Sequence, residues 1–122
     1  MSEIYLDEAL LLQGCEELGL SLSGEQVDRF RKYAEFLVTY NEKVNLTAVT
    51  DPSGIAVRHF VDSLALLKYC PPCEGASLAD VGAGAGFPSV PLAILRPDLK
   101  ITLIDSLGKR IAFLQQLFPL VG

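Results

Sequence analysis

The chain has 122 residues, a length that suits one ordinary domain or a small helical piece joined to part of a larger one. Half of the residues are apolar, a fifth are charged and the mean hydropathy is +0.35, which excludes a disordered chain and implies surface that becomes interior in an oligomer or a larger domain. Net charge is −5 with a pI near 4.7, so there is no global pull toward nucleic acid, and no apolar run approaches the roughly 20 residues that span a bilayer.

The opening segment, Glu3 to about Leu18, has helical spacing, with Leu6, Leu10 and Cys15 on one face and Gly19 as its stop. Ser23 and Gln26 then stand at the spacing of a capping box. The helix they open carries Val27, Phe30, Ala34, Leu37 and Tyr40 or Asn41 at three- and four-residue steps, to about Glu42. After a polar break at residues 45–50, Asp51-Pro52 opens a third helix, where the missing proline N–H costs nothing. Ile55, Val57, Phe60, Val61, Leu64 and Leu67 form its apolar face to about Tyr69, and Cys70-Pro71-Pro72-Cys73 stops it. A short strand at Ser77 to Val81 runs into three glycines. A helix from Pro88 to Arg96, a strand from Lys100 to Asp105 and a helix from Gly108 to Phe118 follow. This order is the signature of a parallel sheet with crossover helices. The chain thus divides into a helical region, residues 1–72, and the first βαβα part of an α/β domain, residues 73–122. Two strands alone do not make a parallel sheet buried on both faces, so the sheet reads as incomplete.

Leu11-Leu12-Gln13-Gly14-Cys15 ends like a lipoprotein signal, but Glu3, Asp7 and Glu8 stand where a signal peptide carries Lys or Arg. Three cysteines imply no disulfide framework, and a reducing cytoplasm is the expected compartment. Cys70-x-x-Cys73 follows a helix instead of opening one. A zinc site would have only Cys15 and His59 to add, so the pair reads as a loop and no metal is expected. Arg29-Phe30-Arg31-Lys32 and Lys109-Arg110 are the basic clusters, read as solvated helix faces or as local RNA contacts.

The chemistry concentrates in Asp80-Val81-Gly82-Ala83-Gly84-Ala85-Gly86-Phe87-Pro88. A turn after a strand of an open parallel sheet points its backbone at the ligand crevice, and glycines there let a ligand lie against the main chain. A dinucleotide site wants G-x-G-x-x-G, whereas here the third glycine comes one residue early and Phe87 takes the place of the last one. A P-loop needs a lysine that this turn lacks. Asp105, 23 residues after Gly82, is suited to accept hydrogen bonds from ribose hydroxyls, which does not by itself separate the candidate cofactors.

The acid-led Asp80-x-Gly82-x-Gly84-x-Gly86 pattern resembles motif I of class I methyltransferases. Four blocks in order carry a wider likeness: Asn45-Leu46-Thr47-Ala48, the run Ile55 to Leu64, the glycine turn, and Leu103 to Arg110. Over about residues 23 to 118 the chain resembles the glucose-inhibited division protein B family, bacterial methyltransferases of N7 of a guanine in small-subunit (16S) ribosomal RNA. The resemblance implies a Rossmann-like class I methyltransferase fold preceded by a small helical region. It implies S-adenosylmethionine as cofactor, held by Asp80, Gly82, Ala83, Gly84, Gly86, Phe87 and Asp105. Ser89-Val90 departs mildly from the Gly-Ile frequent in the family. Family members continue through further strands that close over the adenine, so this chain is expected to be an amino-terminal portion with an unfinished sheet edge, and that edge predicts self-association.

N7 carries no proton to remove, so the implied displacement at a sulfonium methyl makes no general base obligatory, and no catalytic acid–base pair is assigned. On a helix His59 would face Asp62 and Ser63, and Arg58 would pair with Asp62 at i+4. These residues read as a structural cluster or as contacts of Arg58 and His59 to RNA or to the cofactor's edge, with Lys109 and Arg110 near the RNA-facing rim. Two other readings stay open: a non-catalytic binding or assembly module, and, disfavoured by Phe87 and the glycine spacing, an NAD-dependent oxidoreductase fragment.

Overall fold

The structure, a computed structural model, describes residues 4–121. Helix α1 spans Glu8–Glu17, with Asp7 as its N-cap accepting from the Leu10 N–H at 3.1 Å. The expected start at Glu3 lies outside the described residues, and the helix begins only once Asp7 satisfies a free first-turn donor. Leu11 and Cys15 are its buried positions, with Leu6 buried just ahead of the N-cap, so Leu11 replaces the expected Leu10. Gly19 follows at φ 76°, the left-handed conformation of a helix stop.

Helix α2, Gly24–Asn41, opens on a complete capping box. The Gln26 N–H donates to Ser23 Oγ at 3.1 Å, and the Ser23 N–H donates to Gln26 Oε1 at 2.9 Å. Val27, Phe30, Tyr33, Ala34 and Leu37 are buried along one stripe. The third helical run, α3, comprises Pro52–Gly54, a π-helical stretch Ile55–Val61, Asp62–Leu64 and Leu66–Tyr69. The wider turn of a π segment changes which side chains share a face. Ala56 is buried with Ile55, Phe60 and Leu64, while Val57, placed inside by α-helical spacing, is 43% exposed.

Strand β1 (Ser77–Val81), helix α4 (Ser89–Leu95), strand β2 (Lys100–Ile104) and helix α5 (Gly108–Val121) complete the chain. The strands pair in parallel with Ser77 opposite Lys100 and Val81 opposite Ile104. Helix α5 runs past the expected end at Phe118 and contains Pro119 in its last turn. Leu78, Ile101 and Leu103 turn toward the core, whereas Val81 and Ile104 are 78% and 48% exposed. An uncovered face of this kind is foreign to a finished parallel sheet.

The two halves share one core. Phe30, Tyr33, Leu37, Ile55 and Phe60 of the helices lie in the same cluster as Ala83, Ala85, Val90, Phe113 and Leu117. Helix α2 packs against both α4 and α5, and Phe36 stacks on Phe113 at 5.3 Å. No helix among the described residues is long and apolar enough to cross a membrane.

Candidate functional site

The glycine turn leaves β1 and is pinned on every side. The N–H groups of Gly82 and Ala83 donate to the Ile104 carbonyl at 2.6 and 3.2 Å, and the Gly86 N–H donates to the Ala83 carbonyl at 2.7 Å. Gly82, Gly84 and Gly86 all have positive φ, at 73°, 54° and 94°. They meet different surroundings. A Cβ on Gly82 would have nothing within 4 Å, and one on Gly84 only the Gly82 carbonyl at 3.8 Å, so this backbone faces open space. A Cβ on Gly86 would lie 2.7 Å from Tyr33 Oη and 2.8 Å from Val90 Cγ2, so the third glycine serves packing.

Two carboxylates frame the open part. Asp80 Oδ2 accepts from Ser89 Oγ at 2.6 Å, so the serine at the position where the resemblance departs from its family holds the acid at the end of β1. Asp105 accepts from the Leu107 N–H through Oδ1 and from the Gly84 N–H through Oδ2, both at 2.9 Å. Those backbone donors, Leu107 first, hold its carboxyl below the usual carboxylate range, with Arg110 adding to the effect. Its side chain is 2% exposed and lies 3.7 Å from the Arg110 guanidinium. Asp105 thus spends acceptors on the turn itself, and each carboxylate oxygen retains further lone-pair capacity.

Phe87 anchors the turn to the helical region. Its ring stacks with His59 at 4.2 Å and with Tyr33 at 5.4 Å. Tyr33, fully buried, donates its phenol proton to the Ala85 carbonyl at 2.6 Å. Burial, with the Asp80 charge nearby, pushes the Tyr33 phenol well above its ordinary range, so it stays a donor. His59 lies on the π-helical stretch, with Nε2 2.8 Å from Thr47 Oγ1, and burial pulls its pKa down. Thr47 is positioned in turn by Asn41, whose side chain accepts from the Leu46 and Thr47 N–H groups and donates to the Thr47 carbonyl.

A model of the family described as rRNA small subunit methyltransferase G matches residues 26–120. The chain belongs to this family. The protein named ribosomal RNA small subunit methyltransferase G in Halalkalibacterium halodurans is 51% identical over 110 residues, covering 90% of this chain and 46% of that protein. The one of that name in Desulfitobacterium hafniense is 52% identical over 100 residues, covering 82% and 41%, and the one in Streptococcus pneumoniae 53% identical over 102 residues, covering 83% and 43%. The chain spans about half the length of the curated relatives it matches.

Within this family chain, the expected turn residues and Asp105 come together around one short loop, and the other expected residues scatter. Arg58 is exposed, with no ion pair to Asp62 among those of the described residues, and both line a groove with Leu66, Tyr69, Phe87 and Pro88. His59 turns to Thr47 and Phe87, and only its carbonyl meets Ser63, accepting from the Ser63 hydroxyl. Lys109 is exposed, whereas Arg110 lies against Asp105 with its Nε buried and unpaired among the described residues. The cluster Arg29-Phe30-Arg31-Lys32 is no free basic patch. Arg29 pairs with Glu25, Arg31 with Glu8 and Asp28, and Lys32 with Asp28. Cys70 and Cys73 are free and exposed, and among the described residues no three His, Cys, Asp or Glu side chains gather as metal ligands would.

Tyr33, Thr47 and Ser89 are the residues that sequence reasoning missed. Tyr33 had a signal: it lies three residues after Phe30 and four before Leu37, on the same stripe. Nothing in the spacing of Thr47 or Ser89 announces a partner 12 or 9 residues away.

Proposed function

We propose that this chain supplies the helical region (1–72) and the first βαβα part (73–122) of a cytoplasmic, Rossmann-like class I methyltransferase that uses S-adenosylmethionine to methylate N7 of a guanine in 16S ribosomal RNA. The observation that carries the reading is the open, side-chain-free backbone at Gly82 and Gly84, set between the carboxylates of Asp80 and Asp105. It suits a nucleoside cofactor without a pyrophosphate: the nearby charged groups are carboxylates, the kind that would accept from hydroxyls or an ammonium, and no lysine waits for phosphate. Family membership and the relatives' shared name support the reaction class.

S-adenosylmethionine, when bound, supplies a methyl group on a sulfonium. In this proposal Asp80, Gly82, Ala83 and Gly84 seat it, and Gly86 and Phe87 hold the seat in shape. Asp105, which already accepts from the Gly84 N–H, would hold ribose hydroxyls through the remaining capacity of its carboxylate. The chemistry the cofactor would supply is an electrophilic methyl for the guanine N7 lone pair: the S–C bond would break with its electron pair left on sulfur, and no proton transfer would be required of this chain. This chain therefore has positioning to do and no base to provide, which accords with a His59 engaged by Thr47 and Phe87. Arg58, Lys109 and Arg110 are the cations assigned to the RNA side, and the unfinished sheet edge is assigned to self-association.

Calorimetric titration tests the reading. S-adenosylmethionine should bind the chain and the longer Halalkalibacterium halodurans relative, and NAD should bind neither. NAD binding without a response to S-adenosylmethionine would overturn the proposal in favour of an oxidoreductase. Silence toward both by the longer relative would leave a non-catalytic module.

A further inference from the structure

Helix α2 holds a fully buried hydroxyl 52 residues away from its acceptor: Tyr33 Oη donates to the carbonyl of Ala85, between the second and third glycines of the turn. The bond is 2.6 Å long, and the same oxygen lies 2.7 Å from where a Gly86 Cβ would stand. Glycines flank Ala85 on both sides, as they flank Ala83, and a peptide beside such residues has many orientations open to it. Backbone preference alone therefore specifies the direction of the Ala85–Gly86 peptide only weakly. Two hydrogen bonds hold it: its Gly86 N–H donates to the Ala83 carbonyl at 2.7 Å within the turn, and Tyr33 is the donor that reaches its carbonyl from another element. The Tyr33 ring is fixed in turn by Phe60 at 5.1 Å and by Phe87 at 5.4 Å, so the hydroxyl has little freedom to wander.

We infer that Tyr33 is a positioning residue for the cofactor: its hydroxyl sets the orientation of the Ala85–Gly86 peptide and thereby the shape of the open Gly82–Gly84 backbone. The inference rests on the cofactor reading of the turn. It makes the helical region a structural part of the cofactor seat. A water molecule cannot substitute for the phenol, because the site is closed and packed by Val90 and Leu114.

The test is Tyr33→Phe, which keeps both ring contacts and removes one oxygen. Two quantities are read at a temperature where both chains are folded: the Kd for S-adenosylmethionine, and amide hydrogen exchange at Gly82, Gly84 and Gly86. The variant should bind about tenfold more weakly or worse, the scale of a buried acceptor left unpaired, and Gly86 should exchange at least tenfold faster. A merely structural tyrosine would lower the melting temperature and leave both readouts within twofold. That result overturns the inference. Phe30→Leu, equally buried on the same stripe and without a polar contact to the turn, should lower stability and leave the Kd unchanged. If the wild-type chain binds no cofactor the seat reading fails, while Gly86 exchange still judges the role of Tyr33. Should Tyr33→Phe not fold, hydroxyl-proton exchange of Tyr33 in the wild-type chain decides. By reciprocity a cofactor that needs this bond must slow that exchange on saturation, and an unchanged rate refutes the coupling.

Discussion

Gly82 and Gly86 look equivalent in the sequence and should fail in different ways. At Gly86 an alanine incurs two costs. Its φ of 94° lies where L residues are strained, about 1–2 kcal/mol by the left-handed penalty. Its methyl would stand 2.7 Å from Tyr33 Oη, 2.8 Å from Val90 Cγ2 and 3.3 Å from Leu114 Cδ2. Overpacking of that kind costs a further ~1–3 kcal/mol. Gly86→Ala should therefore lose about 2–5 kcal/mol, against roughly 6–18 kcal/mol for a whole chain of 122 residues. Gly82→Ala, at φ 73° with nothing within 4 Å, should lose only the strain, about 1–2 kcal/mol, and should weaken S-adenosylmethionine because its methyl enters the open side of the turn. Urea unfolding followed by circular dichroism separates the two. With a slope of about 2 kcal/mol/M, the Gly86→Ala midpoint should fall by roughly 1–2.5 M and the Gly82→Ala midpoint by roughly 0.5–1 M. Equal midpoints for the two variants would refute the division of the turn into a packed end and an open end.

Asp105→Asn keeps the side-chain shape but removes the charge and one of the two oxygens that hold the Leu107 and Gly84 N–H groups, so affinity for S-adenosylmethionine should fall about tenfold or more in calorimetry. Its lowered carboxyl pKa means that this stabilisation is present above the unfolded value near ~3.9 and disappears as pH falls through the folded value, so wild type should lose stability in acid more steeply than the variant. His59, also lowered, follows the same sign at a higher pH. Its contribution is intact above about 6.5 and declines as pH drops through the folded value, and His59→Gln should flatten urea midpoints measured between about pH 7 and 5. Cys15 is 1% exposed with its thiol pushed up to about 11, so an aromatic disulfide reagent at about pH 8 should titrate Cys70 and Cys73 promptly and Cys15 only on unfolding.

Sequence alone determined the elements that depend on neighbours close along the chain. The Ser23–Gln26 capping box, the Gly19 stop, the parallel order of the two strands and the bare glycine turn were all legible, because each rests on spacing and on backbone preference within a few residues. The π-helical stretch was not legible. Its residues carry an acceptable α-helical stripe, and only packing against α1 and the rest of the core decides that Ala56 goes in and Val57 out. The fates of the basic residues were hidden for the same reason. Arg31 finds Glu8 and Arg110 finds Asp105 across elements, and no spacing rule reports a partner on another helix or strand. The turn shows the boundary between the two kinds of information most sharply. Three glycines with positive φ follow from the sequence, since no other residue adopts that backbone at so little cost. That two of them face open space while the third is closed by Tyr33 follows only from the fold, which brings a hydroxyl from α2 onto a carbonyl half the chain away.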